Sequence, residues 1–128
     1  MVERIKAELG AALMGIEIRE ASYRERGYHL FFEVASGGLL QVARFFDERS
    51  FYLAAELCVD YGEYLELVYI FSNHASLCKV KVALKIDPAK PVAPTISTVF
   101  DCASWYEREI REFFGVTFEG HPNMTYLF

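Results

Sequence analysis

Hydrophobic positions along the chain change period several times, and each change marks an element. Val2, Ile5, Leu9 and Leu13 form one helical stripe, so a helix is expected over residues 2–14, with Gly15 placed to end it. Ile16 to Tyr23 and Tyr28 to Val34 read as two strands, and the polar Arg24-Glu25-Arg26-Gly27 between them as a hairpin turn. Gly37-Gly38 breaks the chain, after which Leu39, Val42, Ala43 and Phe46 return to helical spacing and predict a helix over 38–47. Three strands follow, over 51–59, 63–72 and 77–86, the first two joined around Asp60-Tyr61-Gly62. The third has the cleanest alternation. Cys78, Val80, Val82, Leu84 and Ile86 fall on one face, and Lys79, Lys81, Ala83 and Lys85 on the other. Its lysines also suit an edge strand, where charge discourages strand addition.

Pro88, Pro91 and Pro94 predict an extended loop over 87–96 that cannot extend the sheet, because proline lacks an amide donor. A last helix is expected over 105–114. Ser104 and Glu107 have capping-box spacing, and Tyr106, Ile110, Phe113 and Phe114 share an apolar face. Glu107–Arg111 and Arg108–Glu112 are i,i+4 pairs, and Gly115 can terminate the helix in the left-handed region. The predicted order is helix, strand, strand, helix, three strands, helix. That is an α+β fold with helices packed on one mixed sheet.

At 128 residues the chain suits a single domain, 1–128. Residues 115–128 are expected to form an extended, partner-docking tail. Hydrophobic residues make up 53 %, with 11 Phe and 8 Tyr, enough to fill a dense core or to leave aromatics for a partner. The net charge is -5 and the basic residues form no run, which argues against nucleic acid as a partner. A membrane span needs about eighteen consecutive apolar residues. The nearest candidate, Tyr52 to Phe71, is interrupted by Glu56, Asp60, Glu63 and Glu66. The charged, amphipathic start is wrong for a secretory signal. Cys58, Cys78 and Cys102 are odd in number and far apart, so they are expected as reduced, buried thiols rather than metal ligands.

The C-terminal segment departs from an ordinary helix end. Gly120 and Pro122 bracket His121, and Phe118, Met124, Tyr126, Leu127 and Phe128 are poor choices for a free tail. The run from Trp105 to Pro122 contains Glu107-Arg108-Glu109, then Phe114-Gly115-Val116, Phe118 and Gly120-His121-Pro122. It resembles the signature of the thirty-kilodalton subunit family of respiratory complex I (NADH dehydrogenase). Val59-Asp60-Tyr61, Leu67-Val68-Tyr69, Lys79 to Leu84 and Pro94-Thr95-Ile96 extend the resemblance, which covers about 38 to 122. In quinone-linked members Gly-His-Pro is followed by an acidic residue and a basic pair. Here Asn123-Met124-Thr125-Tyr126 follows and the sequence stops at Phe128, more like the short form in energy-converting, membrane-bound nickel–iron (NiFe) hydrogenases.

The resemblance implies a non-catalytic scaffold subunit of a membrane-associated energy-converting oxidoreductase, peripheral on the cytoplasmic side of the membrane. It implies no cofactor in this chain, with iron–sulfur clusters and a NiFe site belonging to partner subunits. Those partners are a large hydrogenase-like or quinone-site subunit and a small iron–sulfur subunit. The matching positions Glu107, Arg108, Glu109, Phe114, Gly115, Phe118, Gly120, His121 and Pro122 are the expected partner interface, with Arg108 and Glu109 as its polar contacts.

Other readings of these residues are weaker. Glu107, Glu109 and Glu112 as proton-transfer acids or metal ligands lack a neighbouring histidine, and Arg108 and Arg111 are interleaved with them. His121 as a catalytic base competes with a structural role between Gly and Pro. Trp105 is either core or anchor. A Cys102–His121 nucleophile pair has no supporting glycine pattern. Two alternative functions remain: a transient assembly factor for the large subunit, and an independent small-molecule enzyme.

Overall fold

The structure, a computed structural model, describes residues 1–121. The chain runs α1 (Val2–Ala12), β1 (Arg19–Glu20), α2 (Tyr23–Arg26), β2 (Leu30–Glu33), α3 (Leu39–Glu48), β3 (Phe51–Asp60), β4 (Leu65–Asn73), β5 (Lys79–Ile86), β6 (Val92–Pro94), α4 (Ala103–Phe114) and β7 (Thr117–Glu119). The α+β class and the order of the main elements agree with the sequence pattern. Five strands form one mixed sheet in the order β1-β2-β5-β4-β3, with β2 and β5 parallel and every other pair antiparallel.

The inner face of this sheet carries Leu30, Phe32, Val80, Val82, Leu84, Leu67, Tyr69 and Phe71, all buried. Ile5 and Leu9 of α1, five residues of α3, and Ala103 and Ile110 of α4 join them in one core. Phe46 sits at its centre, stacked 4.5 Å from Phe71 and edge-on 4.9 Å from Phe51. Fully burying one such side chain contributes about 1.5–3 kcal/mol. Among the described residues no helix is long and apolar enough to cross a membrane.

Four local expectations are corrected. The first strand shrinks to Arg19–Glu20, and the predicted hairpin turn becomes the helical turn Tyr23–Arg26, closed by Gly27 at φ 84°. Strand β5 is central, not an edge. Its lysines survive there because the outer face is solvated, and two of their ammonium groups lie over aromatic rings: Lys81 over Tyr28 and Phe31, Lys85 over Tyr64. The proline loop stays out of the main sheet but is not bare. Val92–Pro94 pairs in parallel with Thr117–Glu119 in a second, two-stranded sheet. The capping box does not form. Helix α4 starts two residues earlier than expected, entered through the turn that closes Ala103 N–H on Phe100 O, and Ser104 makes no cap bond.

A bulge interrupts the β3–β4 ladder between Leu53 and Ala55. It reverses the facing of everything after it. Glu56 lies opposite Tyr69 on the inner face, and Leu57 opposite Val68 on the outer face.

Candidate functional site

The signature residues converge where α4 covers the small sheet. The inner face of α4 is set by Ala103, Glu107 and Ile110, all buried, with Tyr106 beside them. Phe113 and Phe114 are instead 69 % and 38 % exposed, so the apolar face expected for this helix is rotated. Glu107 is fully buried. Its Oε1 accepts from the Thr95 hydroxyl at 2.5 Å and its Oε2 from the Ile96 N–H at 3.0 Å. The expected Glu107–Arg111 surface pair is thereby replaced by an internal one. Since the Thr95 proton points to Glu107, the Ser97 hydroxyl, 2.7 Å away, donates to Thr95 Oγ1, which also accepts the Ser97 N–H.

His121 closes the arrangement. Its Nε2 lies 3.1 Å from the Ser104 carbonyl and 3.9 Å from Glu107 Oε1, with both side chains out of solvent. The strand before it is fixed by Phe118, buried in the core, and by ladder bonds such as Thr95 N–H to Glu119 O. Gly115 and Gly120 make the two turns, at φ 74° and 84°. The C-terminal segment is therefore latched to the first turn of α4 through one buried polar cluster.

Burial pushes the Glu107 carboxyl up to about 7, while the bonds from Thr95 and Ile96 pull the other way. Burial raises Glu56 well above the carboxylate range, with a smaller contribution from the charge of Glu107. Burial also raises the Cys102 thiol. That disfavours thiolate chemistry, although Cys102 is exposed and Cys58 half-buried, against the expectation of buried thiols. Among the described residues no three His, Cys, Asp or Glu side chains are grouped to hold a metal ion.

The predicted interface residues divide into two sets. Glu107, Phe118 and the His121 ring face inward and offer no surface of their own. Arg108 is part-exposed with its guanidinium 6.0 Å over the Trp105 ring, and Glu109, Phe114, Gly115 and Gly120 are exposed. Pro122 lies outside the described residues. Sequence reasoning missed the roles of Thr95 and Ser97, whose partner is far along the chain. It also left undecided the exposure of Trp105, which is 59 % exposed.

A mixed sheet under helices, closed by a latched C-terminal strand and showing an aromatic helix face to solvent, defines a small α+β domain. Residues 32–128 match the family described as "Respiratory-chain NADH dehydrogenase, 30 Kd subunit", and the chain belongs to that family. The corresponding C-type subunit of the NADH-quinone oxidoreductase of Paraburkholderia xenovorans is 31 % identical over 137 aligned residues, covering 96 % of this chain and 67 % of the relative. Its counterpart in Neorickettsia sennetsu is 38 % identical over 60 residues, but only 32 % of its length is covered. A chain in the structure of the membrane-bound sulfane sulfur reductase, an archaeal respiratory membrane complex, superposes with a TM-score of 0.79. It is 27 % identical, over 95 % of this chain and 72 % of that one. A trypsin-resistant fragment of Nqo5 shares the fold, with a TM-score of 0.76, 23 % identity, and coverage of 94 % and 97 %.

Proposed function

We propose that this chain is a non-catalytic scaffold subunit of a membrane-associated, energy-converting oxidoreductase, held peripherally at the cytoplasmic side of the membrane by its partner subunits. It docks on a large subunit of the nickel–iron-hydrogenase or quinone-site type, beside a small iron–sulfur subunit. The iron–sulfur clusters and any NiFe site belong to those partners. The carrying observation is the outward face of α4. Trp105 and Phe113 stand 59 % and 69 % exposed, eight positions apart on one helix, with the Arg108 guanidinium over the tryptophan ring at 6.0 Å. Exposed aromatics with an adjacent arginine have the composition of interface anchors. Family membership and the likeness to respiratory-complex subunits support the same reading.

In this reading Arg108, Glu109, Phe114, Gly115 and Gly120 form the contact surface together with Trp105 and Phe113. Glu107, Phe118 and His121 hold that surface rigid from within. The test is affinity purification of the tagged chain from its native membranes, with quantitative mass spectrometry. Equimolar recovery of a hydrogenase-like large subunit and an iron–sulfur subunit is expected. Substoichiometric recovery from the mature complex would replace the scaffold by a transient assembly factor. Recovery as a stable, partner-free monomer would overturn both.

A further inference from the structure

Strand β3 spends its bulge on an unfavourable exchange. Strict alternation from Phe51 and Leu53 would carry Ala55, Leu57 and Val59 inward and leave Glu56 in solvent. The register shift instead buries Glu56 to 5 % exposure and leaves Leu57 44 % exposed. A carboxyl has gone in where a leucine was available. Bulges are frequent on edge strands such as β3 and next to sites, where they re-aim a side chain.

The buried side of that exchange is incompletely satisfied. Both carboxyl oxygens of Glu56 and the hydroxyl of Tyr69 are out of reach of solvent and have no hydrogen-bond partner among the described residues. The two residues are direct cross-strand neighbours on the inner face. The ceiling above them is α4. Glu107 on that helix acts electrostatically on both groups, Glu56 acts in turn on the Cys102 thiol, and Cys58 on β3 acts on Tyr69. The nearby β3 carbonyls are already occupied: Leu53 O by the Cys102 thiol at 3.8 Å and Ala54 O by the Tyr106 hydroxyl at 3.5 Å. Three buried polar atoms therefore share one place and still need both donors and acceptors. Among small ligands, water supplies both and carries no charge into an acidic site.

We propose that Glu56 and Tyr69 hold an ordered water beneath α4, and that the bulge at Ala54 serves to place the carboxyl that binds it. The Tyr69 hydroxyl donates to this water, and the water donates to Glu56. The site ties the middle of β3 to the middle of β4 beneath the helix that carries the latch.

The experiment uses the full chain. A high-resolution crystal structure should show water density within hydrogen-bond distance of a Glu56 oxygen and Tyr69 Oη. Oxygen-17 relaxation dispersion in solution should count at least one more long-lived internal water in the wild type than in the double variant Glu56→Leu with Tyr69→Phe. Wild-type density with Glu56 bonded directly to Tyr69, with an empty space, or with a cation in place of water would overturn the proposal. So would an equal count of long-lived waters in the double variant. If the double variant does not fold, Glu56→Gln is the companion. Its amide keeps donor and acceptor capacity, so the water should persist, and a dry site in that variant also counts against the assignment.

Discussion

Replacing Glu107 by glutamine isolates the electrostatic part of the latch. The wild-type carboxyl has its pKa raised from an ordinary 4.5 to about 7, chiefly by burial. Between those values the folded chain keeps a proton that the unfolded chain has released. Stability from this group is therefore full below about pH 4.5 and is lost as the pH rises towards 7. The gap corresponds to about 3 kcal/mol at about 1.36 kcal/mol per pH unit, and no solvent discount applies to a fully buried side chain. Glu56 adds a loss of the same sign, because burial raises its carboxyl as well. In Glu107→Gln the amide oxygen can still accept from Ile96 N–H. The amide nitrogen can donate to Thr95 Oγ1, whose own proton then turns to Ser97. The variant should match the wild type near pH 4.5 and exceed it by up to about 3 kcal/mol above pH 7. Urea unfolding followed by far-ultraviolet circular dichroism across this range reads the difference. Wild-type and variant profiles that run parallel from pH 4.5 to 7 would refute the reasoning, because Glu107 would then not be the group that titrates.

Other perturbations separate core, turn and surface. Phe118→Ala should cost about 3–5 kcal/mol in denaturant unfolding, because a fully packed ring leaves a cavity under β6. Gly120→Ala should cost about 1–2 kcal/mol, since its φ of 84° disfavours an L-residue and the added methyl would stand 3.3 Å from Thr95 Cγ2. The same change should disturb the Thr95 contact to Glu107, visible as a shifted pH profile. Trp105→Ala combined with Phe113→Ala should alter the isolated chain's stability by no more than about 0.5 kcal/mol per site. It should nevertheless weaken binding to the large subunit at least tenfold, or about 1.4 kcal/mol, in competition pull-downs. Unchanged binding would move the interface away from α4.

The readable parts of this fold are those where a periodic pattern runs uninterrupted over its whole element. Helices α1 and α3 and strand β5 meet that condition, and Leu9, Phe46 and Val82 all lie in the core as their spacing requires. The facing of α4 is harder to read, because its buried stripe is centred on a glutamate. Hydrophobicity then points to Phe113 and Phe114, which are exposed, and away from Glu107, which is not. What overrides the preference is a pair of donors just after β6, Thr95 and Ile96, that sequence cannot bring next to the helix. Pairing of β6 with β7 is hidden for the same reason. A three-residue parallel ladder containing Pro94 has no local signal and exists only because α4 brings its two strands together. Strand β3 carries the deepest ambiguity. Phe51 to Asp60 reads as a strand throughout, yet one extra residue at Ala54 decides whether Leu57 or Glu56 enters the core. Period-two reasoning favours leucine, and the structure takes the glutamate. The choices that hydropathy gets wrong, Glu107 and Glu56, are both buried acids at the contact between β3 and α4. At both places buried polar groups, and not hydropathy, set which way the element faces.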